Sequence, residues 1–367
     1  MDFKGIDHLE LYVGNLEEAA RPFCSGFGFR VTGRAGPETG RPGRRSLLLQ
    51  QGRIRLVLTQ TLVEGDEVAD YVAVHGDGVK DIALAVPDAA AAFQEAVRRG
   101  AQPVRQPRVF EGPHGRLIQA TVASPVGDVV HSFIQRDAPE TDFWPGRFQP
   151  VVSAAPEREI LATLDHVALC LLPGSLDDTV RAYSQIFGLR ETHEENVETA
   201  HGGMNSKVVQ DASGRVCFPM MEPMAGKLPG QIDKFLGNHR GPGAQHLAFL
   251  CDDILESIRA MSQHQVPFLD TPPGYYEALP GRVGTLAEDV EVLRAGNVLV
   301  DREGDGYLLQ VFTRSQHDRR TLFFEVIQRK EASGFGAANV RALYESVEQE
   351  LMRKTQESSR ELRRTGS

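Results

Sequence analysis

A duplicated phrase constrains this chain more than any other feature. "IDHLELYVGN" at 6–15 returns as "LDHVALCLLPG" at 164–174, each an Asp-His pair heading an apolar, strand-like run. The echo continues downstream. "DIALAVPDAAAAFQEAVRRGAQPV" (81–104) parallels "HLAFLCDDILESIRAMSQHQVPFL" (246–269), where a strand ends in Asp (Asp88, Asp253) and an amphipathic helix follows. Apolar spacing near 3.6 in those helices (Phe93, Val97; Ile254, Ile258, Met261) supports the reading, as does Gly100 as a stop. The closing strands match too, "VVHSFIQR" (129–136) against "LFFEVIQR" (322–329). Because the strand-helix-strand pattern recurs within each half, the chain reads as two α+β units, each of two smaller modules.

Length agrees: 367 residues, at about 150 per domain, give two or three domains. The expected division is a first domain over 1–136, a Pro- and charge-rich linker over 137–160, a second domain over 161–350 and a polar tail over 351–367. Within the second domain, "AANVRALYESVEQELMRK" predicts a helix with Val340, Leu343, Val347 and Leu351 on one face and Asn339 as its cap. A formal charge of -10 argues against nucleic-acid or anionic-membrane surfaces. No stretch reaches the roughly 18 apolar residues of a membrane helix, and the N-terminus has no secretory pattern. Four cysteines without a CxxC suggest neither a disulfide framework nor a zinc knuckle. A cytoplasmic location is therefore expected. A homo-oligomer is left open.

The two copies differ where chemistry can reside. In the second half His166, His246 and Glu325 begin or interrupt strands. Two imidazoles and a carboxylate are the set that holds a non-haem Fe(II) on one face and leaves other positions open. The first half keeps His8, but Asp81 stands where His246 stands and Ser132 opposite Glu325, with His131 one step away. A lone His at a strand start is more often structural than a ligand, so His8 is read as structural. Cys170 and Cys251 read as core, while His193, His201, His239, His264 and His317 carry no functional reading.

Longer motifs resemble a known family. "LDHVALCL", "MNSKVVQDASG" (204–214), "PGQIDKFL" (229–236), "GAQHLAFL" (243–250), "DGYLLQVFT" (305–313) and "TLFFEVIQRKEASGFGAANVRALYESVE" (321–348) resemble the two-domain vicinal-oxygen-chelate Fe(II) enzymes acting on 4-hydroxyphenylpyruvate. "HGDGVKDIALAVPDA" (75–89) extends the likeness into the first half. The resemblance implies tandem glyoxalase-like domains of paired βαβββ modules, the second an open barrel around the metal and the first a degenerate structural partner. It implies Fe(II) held by His166, His246 and Glu325, with 4-hydroxyphenylpyruvate and O2 as small-molecule partners. Ser206, Gln231, Gln245 and Gln310 are, by resemblance, polar groups of the substrate cavity. For Ser206 and Gln231 simple backbone capping stays open. Gln245 and Gln310 sit in apolar strands, where an unpartnered amide is costly. Phe312, Phe324 and Phe335 are candidates for holding a ring, with a plain core role as the alternative. "GFGAANV" (334–340) reads as a lid or as ordinary helix docking.

The family has two sister activities, both dioxygenases that incorporate both atoms of O2. One gives homogentisate by ring attack, the other 4-hydroxymandelate by benzylic hydroxylation. Two positions depart from the ring-attacking pattern: Met221 in "PMMEP" (219–223) replaces an Asn, and Val340 in "AANV" replaces a Phe. Pro219 follows the ring-attacking pattern instead. The balance favours the 4-hydroxymandelate branch, with the homogentisate branch as alternative and a non-catalytic aromatic-acid-binding protein as a remote third.

Overall fold

The computed structural model describes residues 1–138, 142–152, 159–198, 202–336, 338–339 and 341–342. Four copies of one module account for nearly all of them. The first runs β1 (Gly5–Tyr12), α1 (Leu16–Arg21), β2 (Arg30–Ala35), β3 (Arg44–Gln51), β4 (Ile54–Thr61). After α2 (Glu67–His75) the second follows: β5 (Gly78–Ala85), α3 (Ala89–Arg98), β6 (Pro103–Gly112), β7 (Gly115–Ala123), β8 (Val130–Arg136). A two-residue β9 (Gln149–Pro150) precedes the third: β10 (Thr163–Cys170), α4 (Leu176–Phe187), β11 (Arg190–Glu198), β12 (Gly203–Gln210), β13 (Cys217–Pro223). Helix α5 (Gln231–His239) leads to the fourth: β14 (Gly243–Leu250), α6 (Ile254–Gln263), α7 (Pro273–Val283), α8 (Val290–Ala295), β15 (Leu299–Glu303), β16 (Gly306–Phe312), β17 (Phe323–Lys330).

Pairing follows the module. In each, the first strand lies parallel to the last: β1 on β4, β5 on β8, β10 on β13, β14 on β17. The two modules of a half join antiparallel through their first strands, β1 on β5 and β10 on β14. The results are a mixed sheet ordered β6-β7-β8-β5-β1-β4-β3-β2-β9 and another ordered β11-β12-β13-β10-β14-β17-β16-β15. Each is a curled half-barrel, which is the expected tandem glyoxalase-like fold.

The local reasons for this repetition are visible in the duplicated phrases. Asp88 and Asp253, which end strands in the sequence, cap α3 and α6 by accepting from Ala91 N (2.9 Å) and Glu256 N (3.0 Å). The Asp-His pairs each interrupt a ladder. Register jumps between Ile6 and His8 and again between Leu164 and His166. Asp7 and Asp165 are thus the extra residues of matching β-bulges, a device that re-aims a neighbouring side chain.

The halves share one apolar core. Phe23 and Phe27 of the first pack ring against ring with Phe324 of the second, each at 5.1 Å, and Phe29 meets Phe249 at 5.8 Å. The stretch read as a linker is partly built into the first sheet: β9 pairs with β2, and Trp144 is only 8% exposed. Its aromatic residues are the reason, because Phe143 and Trp144 cover His8 at 5.2 and 5.9 Å. Of the expected C-terminal helix, 338–339 and 341–342 are described and helical. Its remainder, with Val340, and the polar tail lie outside the described residues. Among the described residues no helix is long and apolar enough to cross a membrane.

Candidate active site

Three neighbouring strands, β10, β14 and β17, bring His166, His246 and Glu325 together. One ligand atom from each lies within 4.8 Å of the others. His166 Nε2 and His246 Nε2 stand 3.3 and 3.4 Å from the same oxygen, Glu325 Oε2. All three are buried, at 2%, 9% and 2% exposure. The bulge sets the first ligand: Asp165 Oδ1 lies 2.8 Å from His166 Nδ1, which leaves Nε2 facing the cluster. Gln245 Oε1 stands 3.3 Å from His246 Nδ1 and does the same for the second.

The electrostatics suit a cation. Burial works against a charged His166, yet the Glu325 and Asp165 carboxylates push its pKa up to about 9. Burial dominates at His246 and lowers its pKa. Burial raises the Glu325 pKa, but His166 and His246 more than offset it and leave it lowered. Among the described residues Glu325 has no Lys or Arg ion pair, and a buried carboxylate in direct contact with two imidazoles is a donor set that a divalent metal satisfies. The residues fit Fe(II).

The first half shows the same frame without that donor set. Pairings place Asp81 at the position of His246 and Ser132 at that of Glu325. Asp81 accepts from Ser132 N at 2.9 Å and from Ser132 Oγ at 2.5 Å. Burial pushes its pKa up to about 6. His8 packs edge-on against Phe143 and Trp144.

Above the trio opens a cavity of about 390 Å³, lined by Ser206, Met221, Gln310, Phe312 and Phe335 among the expected residues. Ser206 also donates to Glu195 O at 3.0 Å. Met221 stands opposite it across β12 and β13. Phe335 is edge-on to His166 at 5.6 Å, and Phe312 to His246 at 6.0 Å. Gln310 accepts from Asn339 Nδ2 at 3.3 Å. Asn339, expected as a helix cap, is instead fully buried and also accepts from Tyr275 Oη at 2.5 Å.

Three expected cavity residues lie outside the lining: Gln231, Phe324 and Gln245, the last with its amide turned to His246 Nδ1. Gln231 is exposed in the first turn of α5, outside the lining, because that turn ends at the surface. Phe324 points into the shared core, since strand neighbours alternate faces and Glu325 takes the cavity side. Phe323 follows the alternation and stacks on His246 at 5.0 Å. Sequence reasoning missed His193, Glu195, Val197 and Met204, all of which line the cavity. His193 lies 5.2 Å from the Phe335 ring and 3.6 Å from Glu303. Its one available signal was its place on the strand paired with the "MNSKVVQ" motif. Val340 lies outside the described residues. A larger cleft of about 460 Å³ between the halves reaches Asp165 but none of the three donors.

Comparison with known proteins agrees with the geometry. The Glyoxalase/Bleomycin resistance protein/Dioxygenase superfamily matches residues 163–280 and, through a second model of that description, 7–118. The chain is 33% identical over 360 residues to 4-hydroxyphenylpyruvate dioxygenase from Dictyostelium discoideum, covering 95% of this chain and 98% of that one. It is 31% identical over 374 residues to the Danio rerio enzyme of the same name, covering 95% and 91%. Among solved structures, a triple mutant of 4-hydroxymandelate synthase from Streptomyces coelicolor superposes with a TM-score of 0.86 and 39% identity, covering 95% of this chain and 99% of that one. With its buried two-His-one-carboxylate centre, the chain belongs to the family of non-haem iron dioxygenases that contains 4-hydroxyphenylpyruvate dioxygenase and 4-hydroxymandelate synthase.

Proposed function

We propose that this protein is an Fe(II)-dependent 4-hydroxymandelate synthase, converting 4-hydroxyphenylpyruvate and O2 to 4-hydroxymandelate and CO2. Bound at His166, His246 and Glu325, Fe(II) supplies chelation of the 2-oxo acid and activation of O2. One atom of O2 enters the new carboxylate and the other the benzylic carbon, so carbon loss and hydroxylation balance within one substrate. No external oxo acid is needed.

The chain's own residues position the reaction. Asp165 and Gln245 hold the two imidazoles, so the inward nitrogens are aimed before substrate arrives. Phe335 and Phe312 flank them, which gives an aryl group aromatic surface beside the donors. Ser206 and Gln310 add polar contacts to a cavity that His193 and Glu195 also line.

The observation that carries the synthase reading is Met221 in the cavity wall. Where the ring-attacking relatives are expected to present an amide, this chain presents a thioether with no comparable hydrogen-bonding capacity. With the ring less firmly held, the benzylic carbon is free to approach the oxidant, and position decides which carbon reacts. The 39% identity to the solved 4-hydroxymandelate synthase supports the same choice. Iron-loaded enzyme, mixed anaerobically with 4-hydroxyphenylpyruvate and then given oxygen, is expected to release 4-hydroxymandelate. Homogentisate as the main product would move the protein to the dioxygenase branch. No oxygen uptake with any aryl pyruvate would favour a binding protein.

A further inference from the structure

We propose that Arg329 is a positioning residue for the metal centre, coupling the orientation of His166 to the seating of the Phe335 turn beside the cavity. The proposal rests on the metal reading above and not on which product forms.

All three nitrogen positions of this guanidinium are engaged. Nε and Nη2 donate to the two oxygens of Asp165, each at 2.8 Å, and Asp165 holds His166 Nδ1. Nη1 reaches the other way, to Gly334 O at 2.6 Å and Ala332 O at 3.3 Å, on the turn that carries Phe335. The cation lies 5.2 Å from the centre of the Phe335 ring, whose edge meets His166. One planar group therefore joins a ligand's hydrogen-bond partner to the backbone of the Phe335 turn. Lysine has neither the fork nor the reach in two directions.

The first half carries the same device. Arg136 donates to both oxygens of Asp7 at 2.9 Å, and Asp7 lies 2.8 Å from His8 Nδ1. Its Nη1 reaches Phe143 O at 2.6 Å and Asp142 O at 3.2 Å, and its cation lies 5.2 Å from the Phe143 ring. Phe143 stands edge-on to His8 at an interplanar angle of 78°, the angle Phe335 makes with His166. There the partner donors are Asp81 and Ser132, and Phe143 packs with Trp144. The frame therefore forms without a metal-binding trio, which means that in the second half it sets His166 independently of the ion. The duplicate also supplies a control, because Arg136 does the same structural job where no ligand depends on it.

The test compares Arg329→Lys with Arg136→Lys in the full chain, using Co(II), whose visible spectrum reports its coordination. Arg329→Lys is expected to weaken Co(II) binding about ten- to a hundredfold, the usual effect of losing a ligand's supporting partner. It should also change the spectrum and raise KM. Arg136→Lys should lower the melting midpoint comparably while leaving Co(II) affinity, spectrum, kcat and KM unchanged. Unaltered Co(II) affinity and spectrum in Arg329→Lys, or an equal loss in Arg136→Lys, would overturn the proposal. Should Arg329→Lys fail to fold, Phe335→Leu probes the other end with the ion pair intact. Weaker Co(II) binding with an altered spectrum supports coupling, and wild-type values overturn it. A wild-type protein that takes up no Co(II) would refute the metal reading itself, a result distinct from either.

Discussion

Asp81 occupies the position that His246 takes in the other half, and its burial has a measurable cost. Burial is the largest influence on its carboxyl, raising the pKa from 3.8 to about 6 against the opposing effects of His8 and Ser132. At about 1.4 kcal/mol per unit, the ionised form destabilises the fold by about 3 kcal/mol. The direction follows from proton counting. Between 3.8 and about 6 the folded chain holds a proton that the unfolded chain has released, so stability falls as pH rises through this window and the deficit is complete above it. Asp81→Asn removes the titration while its amide oxygen can still accept from Ser132 N. The variant should melt higher than wild type at pH 8, by about 6 °C at roughly 2 °C per kcal/mol for a chain of this size. That gap should shrink toward zero by pH 4.5. Melting curves of both proteins across that range supply the assay. A gap that does not vary with pH, or one that widens as pH falls, would refute the reasoning.

Two further substitutions separate the cavity from the core. Met221→Asn returns an amide to the cavity wall and should shift product toward homogentisate, read by chromatography of the reaction mixture. If the amide finds no partner, about 1–3 kcal/mol of stability goes with it; an unchanged product ratio would mean that this wall does not steer the ring. Phe324→Ala removes a ring packed against Phe23, Phe27 and Phe249. It should cost about 3–5 kcal/mol in chemical or thermal unfolding and leave the product ratio alone. A changed ratio with little loss of stability would place Phe324 at the cavity after all.

The modular fold was legible because duplication writes the same local signals twice: the Asp-His bulge, the capping Asp and the closing "IQR" strand. Disagreement between copies located the His166, His246 and Glu325 cluster, since Asp81 and Ser132 stand at two of its positions in the first half. The cavity walls were less legible. Phe324 was misjudged because an apolar run hides which face each residue takes, although the two-residue period around Glu325 carries the answer. Gln231 was misjudged because a helix's first turn can end at the surface as readily as in a pocket. His193 and Glu195 lie on a polar, mostly exposed strand hairpin-paired to β12, whose charged sequence gives no sign of which side chains turn toward the site. Trp144 and its neighbours looked like linker because aromatic residues without periodicity give no element, yet they close the first half over His8.

The central claim is that one half binds metal and the other keeps only its frame. Equilibrium dialysis of the full chain against Fe(II) without oxygen, followed by elemental analysis, tests this directly. The account predicts one ion per chain, retained by His8→Ala and lost from Glu325→Ala together with turnover. Two ions per chain, or wild-type occupancy and activity in Glu325→Ala, would contradict it.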